Sequence, residues 1–352
     1  MGDSTWMIYG ANGYTGRLVA AEAVRQGLAP ILAGRNAQEV ERIAAELSLP
    51  ARTFDLADPL ASRAALAGVT VVAHCAGPFS ATSAPMIEAC LASASHYVDI
   101  TGEIAVFEQA RAYDLLAREA ALVICPGVGF DVIPTDCVAA CLKQALPDAS
   151  HLALGFDTGS GLSPGTAKTS VEGLRLGGQV RRDGERVRVP LGYRQRRIDF
   201  GRGEKNAVTI PWGDVATAYY STGIPNIEVY LPAPPAAALG MRLIDPLRGL
   251  LGGAGAQKWL KGQVDKRVRG PDQATRERLR TWVWGEARNA AGETRTAHLE
   301  TANGYEVTVH GVLLAVRHLL AYNGPGGYRT PSLLFGERCV EQLPGSGRIR
   351  IA

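Results

Sequence analysis

Trp6-Met7-Ile8-Tyr9, then Gly10-Ala11-Asn12-Gly13-Tyr14-Thr15-Gly16, then Arg17-Leu18-Val19-Ala20-Ala21-Glu22-Ala23-Val24-Arg25 reads as strand, glycine-rich turn and helix. That order is how a nucleotide pyrophosphate is held. Backbone N–H groups at the helix start face the anion, and the helix dipole favours negative charge there. Glycine serves where the chain turns with positive φ and where a side chain would hold the phosphates off. The spacing is G-x-x-G-x-x-G, and taken alone it is equally the pattern of an ordinary turn. If it is a phosphate turn, Gly10, Asn12, Gly13, Tyr14, Thr15 and Gly16 are cofactor-binding residues.

Working outward, the next strand, Pro30–Ala33, ends in Gly34-Arg35-Asn36. An NAD site places Asp or Glu here to accept from the ribose 2′-hydroxyl, whereas an Arg accommodates a 2′-phosphate. The other reading of Arg35 is a solvated side chain at the start of the helix Ala37–Leu47. With the first motif in place, Arg35 and Asn36 favour NADP(H) over NAD(H).

Strand and helix patterns go on alternating, which predicts a parallel α/β sheet. Further strands are expected at Arg52–Asp55, Val69–His74, His96–Ile100 and Ala121–Cys125. Helices are expected at Pro59–Leu66, Ala84–Ala92, Ala105–Glu119 and Thr135–Leu146. In such a sheet the ligand sits outside the carboxyl ends of the strands. Asp55 can accept from the adenine amino group or cap its own turn. Ala76, Gly77, Pro78 and Phe79 follow strand four, Gly102 and Glu103 follow strand five, and Gly129 and Phe130 follow strand six. These residues are expected to wall a nicotinamide, with Glu103 and Tyr220 (and its neighbour Tyr219) as candidate proton donors.

After residue 134 the pattern changes. Residues 151–157 read as a strand, and a loop rich in Gly, Ser and Thr opens a helix near 164–176. The segment 181–202 carries eight Arg and reads as a hairpin with a solvated basic face or as a patch for an anionic substrate. Residues 231–262 are rich in Ala, Leu, Gly and Pro, and 258–280 are cationic. A helical excursion packed on its own sheet is the preferred reading there, with a lid touching a membrane as the other. A hairpin is expected over 281–301, a one-faced helix over 309–320 and a last helix over 331–342. The expected organisation is 1–134 for the dinucleotide domain, 135–325 for a second domain and 326–352 returning to the first.

Composition sets bounds. The chain has 352 residues, 46% hydrophobic and 20% charged, with formal net charge +3. That charge is too small to argue for nucleic acid. No apolar run is long enough to span a bilayer, and the start lacks a signal-peptide pattern, so a cytoplasmic location is expected. The six cysteines lie scattered, most in apolar runs, without metal-ligand spacing, and no metal is expected. Cys125 ends an apolar strand and lacks the electropositive setting of a reactive thiol. His74 and His96 likewise sit in apolar strands.

The motifs together resemble those of saccharopine dehydrogenase-like proteins. GANGYTG at 10–16, LAGRN at 32–36, CAGPF at 75–79, HYVDITGE at 96–103 and GFDVIPTD at 129–136 follow the order of that family. SPGTAKTSVEGL at 163–174 is similar to a segment of its trans-acting enoyl reductases, and 213–227 and 327–336 extend the likeness. The resemblance implies a Rossmann domain binding NADP(H) and a second mixed α/β domain inserted before the last helix. It further implies a pyridine-nucleotide oxidoreductase acting on a small or acyl-carrier-bound carbonyl, imine or enoyl group, and a homodimer. Departures are Val128 before Gly129-Phe130-Asp131, where the family often has Cys, and Phe79 in place of Tyr. A sensor or scaffold that binds NADP(H) without turnover is the alternative, because no proton donor stands out.

Overall fold

The computed structural model describes residues 5–352 apart from 160, 162, 174, 248, 250 and 251. Positions 160 and 162 of the Gly- and Ser-rich loop, 174 at the end of the enoyl-reductase-like segment, and 248, 250 and 251 of the Leu-rich stretch thus lie outside the described residues. The chain divides into two compact units, Met1–Phe130 with Val307–Phe335, and Asp131–Glu306 with Gly336–Ala352.

The first unit alternates strand and helix as its sequence predicts. It runs β1 (Thr5–Tyr9), α1 (Tyr14–Arg25), β2 (Ile31–Gly34), α2 (Ala37–Leu47), β3 (Ala51–Thr53), α3 (Pro59–Ala65) and β4 (Val69–His74). Then follow α4 (Phe79–Ala92), β5 (His96–Asp99), α5 (Ile104–Ala112), α6 (Asp114–Glu119) and β6 (Val123–Cys125). A late strand, β15 (Gly327–Tyr328), adds beside β6. All seven strands are parallel, in the order β15-β6-β5-β4-β1-β2-β3. This is a Rossmann-like sheet. Its central strands are continuous apolar runs, such as Met7-Ile8 and Val71-Val72, because helices cover both faces of a parallel sheet. The chain order reverses between β1 and β4, where the loops after β1, β2, β4, β5 and β6 all open on one edge.

The second unit begins with α7 (Ile133–Ala145), β7 (His151–Thr158), α8 (Pro164–Gly173), β8 (Gly178–Arg182), β9 (Glu185–Val189), β10 (Gln195–Asp199) and β11 (Glu204–Ile210). It continues with α9 (Asp214–Thr222), β12 (Asn226–Pro232), α10 (Pro235–Ile244), α11 (Ala254–Arg267), α12 (Gln273–Arg278), β13 (Arg280–Arg288) and β14 (Thr294–Ala302). Next in the chain come α13 (Gly304–Leu320) and α14 (Pro331–Phe335), which from Val307 are compact with the first unit; β16 (Arg350–Ile351) of the second unit ends the chain against β14. The sheet is mixed, ordered β10-β11-β12-β7-β13-β14-β16, with β7 and β12 parallel. On β13, a Cβ at Gly285 would stand 2.5 Å from Val138 and 2.7 Å from Leu142, so glycine there lets α7 lie directly on the strand. The other face buries Ile198, Phe200, Tyr230 and Trp284.

Three expectations differ from the structure. The helix expected over 105–119 breaks into α5 and α6 at Tyr113, where Asp114 opens a new helix and accepts from the Tyr328 backbone N–H at 2.8 Å. The helix expected over 331–342 stops at Phe335, because Gly336 takes φ +94°, a conformation no α-helix continues through. The division also falls elsewhere: Val307–Phe335 is compact with the first unit, whereas Gly336–Ala352 is compact with the second.

Candidate functional site

The turn after β1 is tight and glycine-dependent, as a dinucleotide turn needs to be. Gly10 has φ +87°, and a Cβ on it would come within 2.6 Å of the Ala76 nitrogen. A Cβ on Gly16 would lie 2.2 Å from the Gly10 carbonyl oxygen. The first glycine makes the turn beside the loop after β4, and the third lets α1 pack down on the turn. Gly13 is the N-cap of α1 and makes no side-chain cap, and the first turn holds no acid. An uncapped helix start, with glycine where a side chain would intrude, fits a pyrophosphate.

Arg35 follows β2 directly. It is exposed and makes no ion pair among the described residues. Its charge reaches the Tyr9 phenol, whose pKa burial raises, with Asp55 adding to the rise and Arg35 opposing it. A guanidinium at this strand end without a carboxylate partner fits a 2′-phosphate. The other expected residues there have local duties. Asn36 caps α2 by accepting from the Glu39 N–H at 3.3 Å, and Asp55 accepts from the Ala57 N–H at 3.0 Å.

The loops after β4, β5 and β6 are joined by two carboxylates of the β5 segment. Glu103 accepts from the backbone N–H groups of Phe79 (3.0 Å) and Ser80 (3.2 Å), which caps α4 and holds the Ala76–Phe79 loop. Asp99 accepts at one oxygen from the N–H groups of Thr101 and Gly127, both at 2.9 Å, and at the other from the Tyr97 hydroxyl at 2.6 Å. Thr101 completes the chain, its hydroxyl accepting from the Glu103 N–H at 3.1 Å. The loop after β6 is held again by Thr308, whose hydroxyl accepts from the Phe130 N–H at 3.0 Å. Gly129 leaves room for it, since a Cβ there would sit 3.0 Å from Thr308.

These contacts redistribute the expected roles. Glu103 spends both oxygens on a helix start. Phe79 turns its ring inward, edge-on to His74 at 5.3 Å, while Gly77 and Pro78 stay exposed. Tyr220 belongs to the second unit, on α9, half-buried beside Tyr219 at 5.8 Å. The buried Arg181 guanidinium stacks over Tyr219 at 4.2 Å. Three arginines of the arginine-rich segment are paired within their own sheet: Arg194 with Glu228, Arg196 with Glu286 and Arg197 with Glu204. His74 is fully buried and pushed down to about 3, so it stays neutral, with Nε2 against the Thr82 hydroxyl at 3.0 Å. All six cysteines are buried and free.

Asp99, Thr101 and Thr308 were passed over in the sequence. The first two carried a signal, since Asp99-Ile100-Thr101-Gly102-Glu103 places acceptors at alternate positions just past a strand end. Thr308, far along the chain, carried none. Asp131 was passed over too; burial pushes its carboxyl up to about 7. Nearby Asp214, fully buried, is raised well above the carboxylate range by burial, with Asp136 and Asp131 adding charge repulsion and Thr135 opposing.

Burial holds Asp99 at about 6, above its ordinary 3.8. The folded chain therefore binds that proton more tightly than the unfolded chain, and this contribution to stability is lost as pH rises from about 4 through 6. Asp99→Asn should flatten that part of the stability–pH curve. Asp99→Ala orphans three donors and should cost about 2–4 kcal/mol, with faster hydrogen exchange at the Thr101 and Gly127 amides. Urea unfolding with amide exchange checks both; unchanged protection of the two amides in Asp99→Ala would refute the linkage.

The comparisons agree with this geometry. Residues 6–125 match the family model for the saccharopine dehydrogenase NADP binding domain. The human saccharopine dehydrogenase-like oxidoreductase is 29% identical over 150 residues, covering 37% of this chain and 35% of that protein. A putative trans-acting enoyl reductase of Mycobacterium tuberculosis is 30% identical over 186 residues, covering 48% and 43%. The chain thus spans about a third to two fifths of the length of the curated relatives it matches. Among solved structures, apo saccharopine dehydrogenase (L-Glu forming) from Saccharomyces cerevisiae superimposes with TM-score 0.67 over 99% of both chains at 12% identity, which shows the fold. Residues 6–125 thus match a saccharopine dehydrogenase NADP binding domain, which indicates NADP(H) binding, and the chain as a whole shares the fold of saccharopine dehydrogenase.

Proposed function

We propose that the chain is an NADPH-dependent reductase acting on a carbonyl, imine or enoyl group, with a carrier-bound enoyl group as the first class to test. The observation that carries the cofactor half is the start of α1 on Gly13 without a side-chain cap or acid, together with Arg35, which makes no ion pair among the described residues. The substrate half is supported by the mycobacterial enoyl reductase, whose likeness covers nearly half the chain, more than the cofactor domain alone.

The backbone of Gly10–Gly16 would hold the pyrophosphate of bound NADPH and Arg35 its 2′-phosphate. Bound NADPH supplies a hydride to the unsaturated carbon. Asp99 and Glu103 keep three loops of the nicotinamide wall in place and transfer nothing themselves. The atom that gains electrons needs a proton. Asp131, one residue beyond Phe130 in the chain, has its carboxyl pushed up to about 7 by desolvation and is one candidate donor; Tyr220 is the other.

The test pairs calorimetric titration of NADPH and NADH with NADPH oxidation over a panel of enoyl thioesters, ketones and imines. Binding of NADPH at least tenfold tighter than NADH, with oxidation by one class, is the expected result. Tight NADPH binding without oxidation by any of them would move the reading to a sensor, and binding of neither cofactor would end it.

A further inference from the structure

The stretch between β12 and β13 departs from a packed excursion. α10 starts on Pro235, whose fixed φ suits a first helical turn. It puts Ala236, Leu239 and Leu243 along one stripe at i, i+3 and i+7. That stripe points to solvent: Leu239 is 57% and Leu243 68% exposed, and only Ala238 of the helix is buried. On α11, Trp259 is 64% exposed. Large aliphatic and indole side chains gathered in one segment are not the scattered single exposures normal for a surface.

Charge selects the partner. Residues 231–280 hold ten Lys and Arg against four Asp and Glu, whereas the whole chain has 37 against 34. The excess cation of the protein is therefore concentrated here, and acids outnumber bases elsewhere. Arg242, beside the stripe, donates to the main-chain carbonyls of Gly192 and Tyr193 and makes no ion pair among the described residues. Lys258 is exposed next to Trp259. Lys261 and Arg276 of this stretch pair with Glu172 and Glu306, which leaves Arg242 and Lys258 beside the exposed apolar groups without an ion pair among the described residues. Exposed Leu and Trp flanked by such cations form the composition that seats in the interface of an anionic bilayer: the apolar groups enter the acyl boundary and the cations meet headgroup phosphates.

We propose that α10 and α11 form a peripheral docking surface for an anionic lipid bilayer. Its test is co-sedimentation of the full chain with vesicles of phosphatidylcholine alone and of phosphatidylcholine with phosphatidylglycerol, at low and high salt. Wild type is expected to partition at least about tenfold better into the anionic vesicles at low salt, with loss at high salt. The combined variant Leu239→Ser, Leu243→Ser, Trp259→Ser should lose at least about tenfold of that partition. Leu60→Ser, at a position 81% exposed on α3, should sediment like wild type. Because all four positions are exposed, an unchanged unfolding midpoint verifies each variant. Wild type left in the supernatant at low salt overturns the proposal, as does a triple variant that sediments like wild type. So does a stable dimer that the triple variant dissociates without any vesicle binding, since the stripe would then be a face for a second copy. Retention of wild type by an acidic acyl-carrier protein, with none on vesicles, likewise overturns it.

Discussion

Arg35→Ala is expected to weaken NADPH binding by roughly 30- to 140-fold while changing NADH affinity less than about threefold. The estimate follows from losing charge-assisted hydrogen bonds to a phosphate, about 2–3 kcal/mol, at about 1.4 kcal/mol per tenfold. The selectivity comes from position. Arg35 stands one residue past β2, where the two cofactors differ, and away from the pyrophosphate turn they share. Because the side chain is exposed and makes no ion pair among the described residues, its removal strands no partner and the fold should be untouched. Parallel calorimetric titrations decide it. Equal loss for both cofactors would remove Arg35 from the 2′-phosphate role and assign it a general part in steering anions. Arg35→Lys adds resolution, because an ammonium keeps the charge and loses the planar fork; it should recover only part of the affinity.

The cofactor half of the molecule was legible because its signals are local. A parallel sheet buried on both faces writes apolar runs such as Val71-Val72-Ala73, and each strand end is punctuated by glycine. Gly10 and Gly16 could be assigned from spacing, and their close approaches bear out the reason glycine stands there. What was not legible depends on partners distant in sequence. Glu103 looked like an acid in a crevice, but the two N–H groups that donate to it lie 23 and 24 residues away on α4, and no local pattern reports that. Thr308 meets Phe130 across 178 residues. The β8–β9 hairpin and β10 looked like a basic patch because arginines are counted one by one in a sequence. The carboxylates that meet Arg194 and Arg196, Glu228 and Glu286, arrive from other strands. The last helix failed on a single backbone choice at Gly336.

Asp131→Asn is expected to lower kcat by about 100-fold or more, the range of a lost general acid, with KM and NADPH affinity nearly unchanged. A proton donor must be protonated before the step. The Asp131 carboxyl, pushed up to about 7 by burial, is protonated below that pH and ionised above it. Wild-type kcat for reduction should therefore fall as pH rises through about 7, and the residual activity of the variant should not follow that curve. The variant keeps the side chain's shape and removes a negative charge that raises the pKa of Asp214. Its stability at neutral pH should then hold or improve, which separates lost chemistry from lost folding. The Trp212 indole N–H donates to the Asp131 carbonyl at 2.9 Å, a backbone contact that the substitution leaves in place, so the loop keeps its anchor. A profile with no fall between pH 6 and 8, together with near-normal kcat in the variant, would take the proton from Asp131. Tyr220→Phe would then be the variant expected to carry the loss.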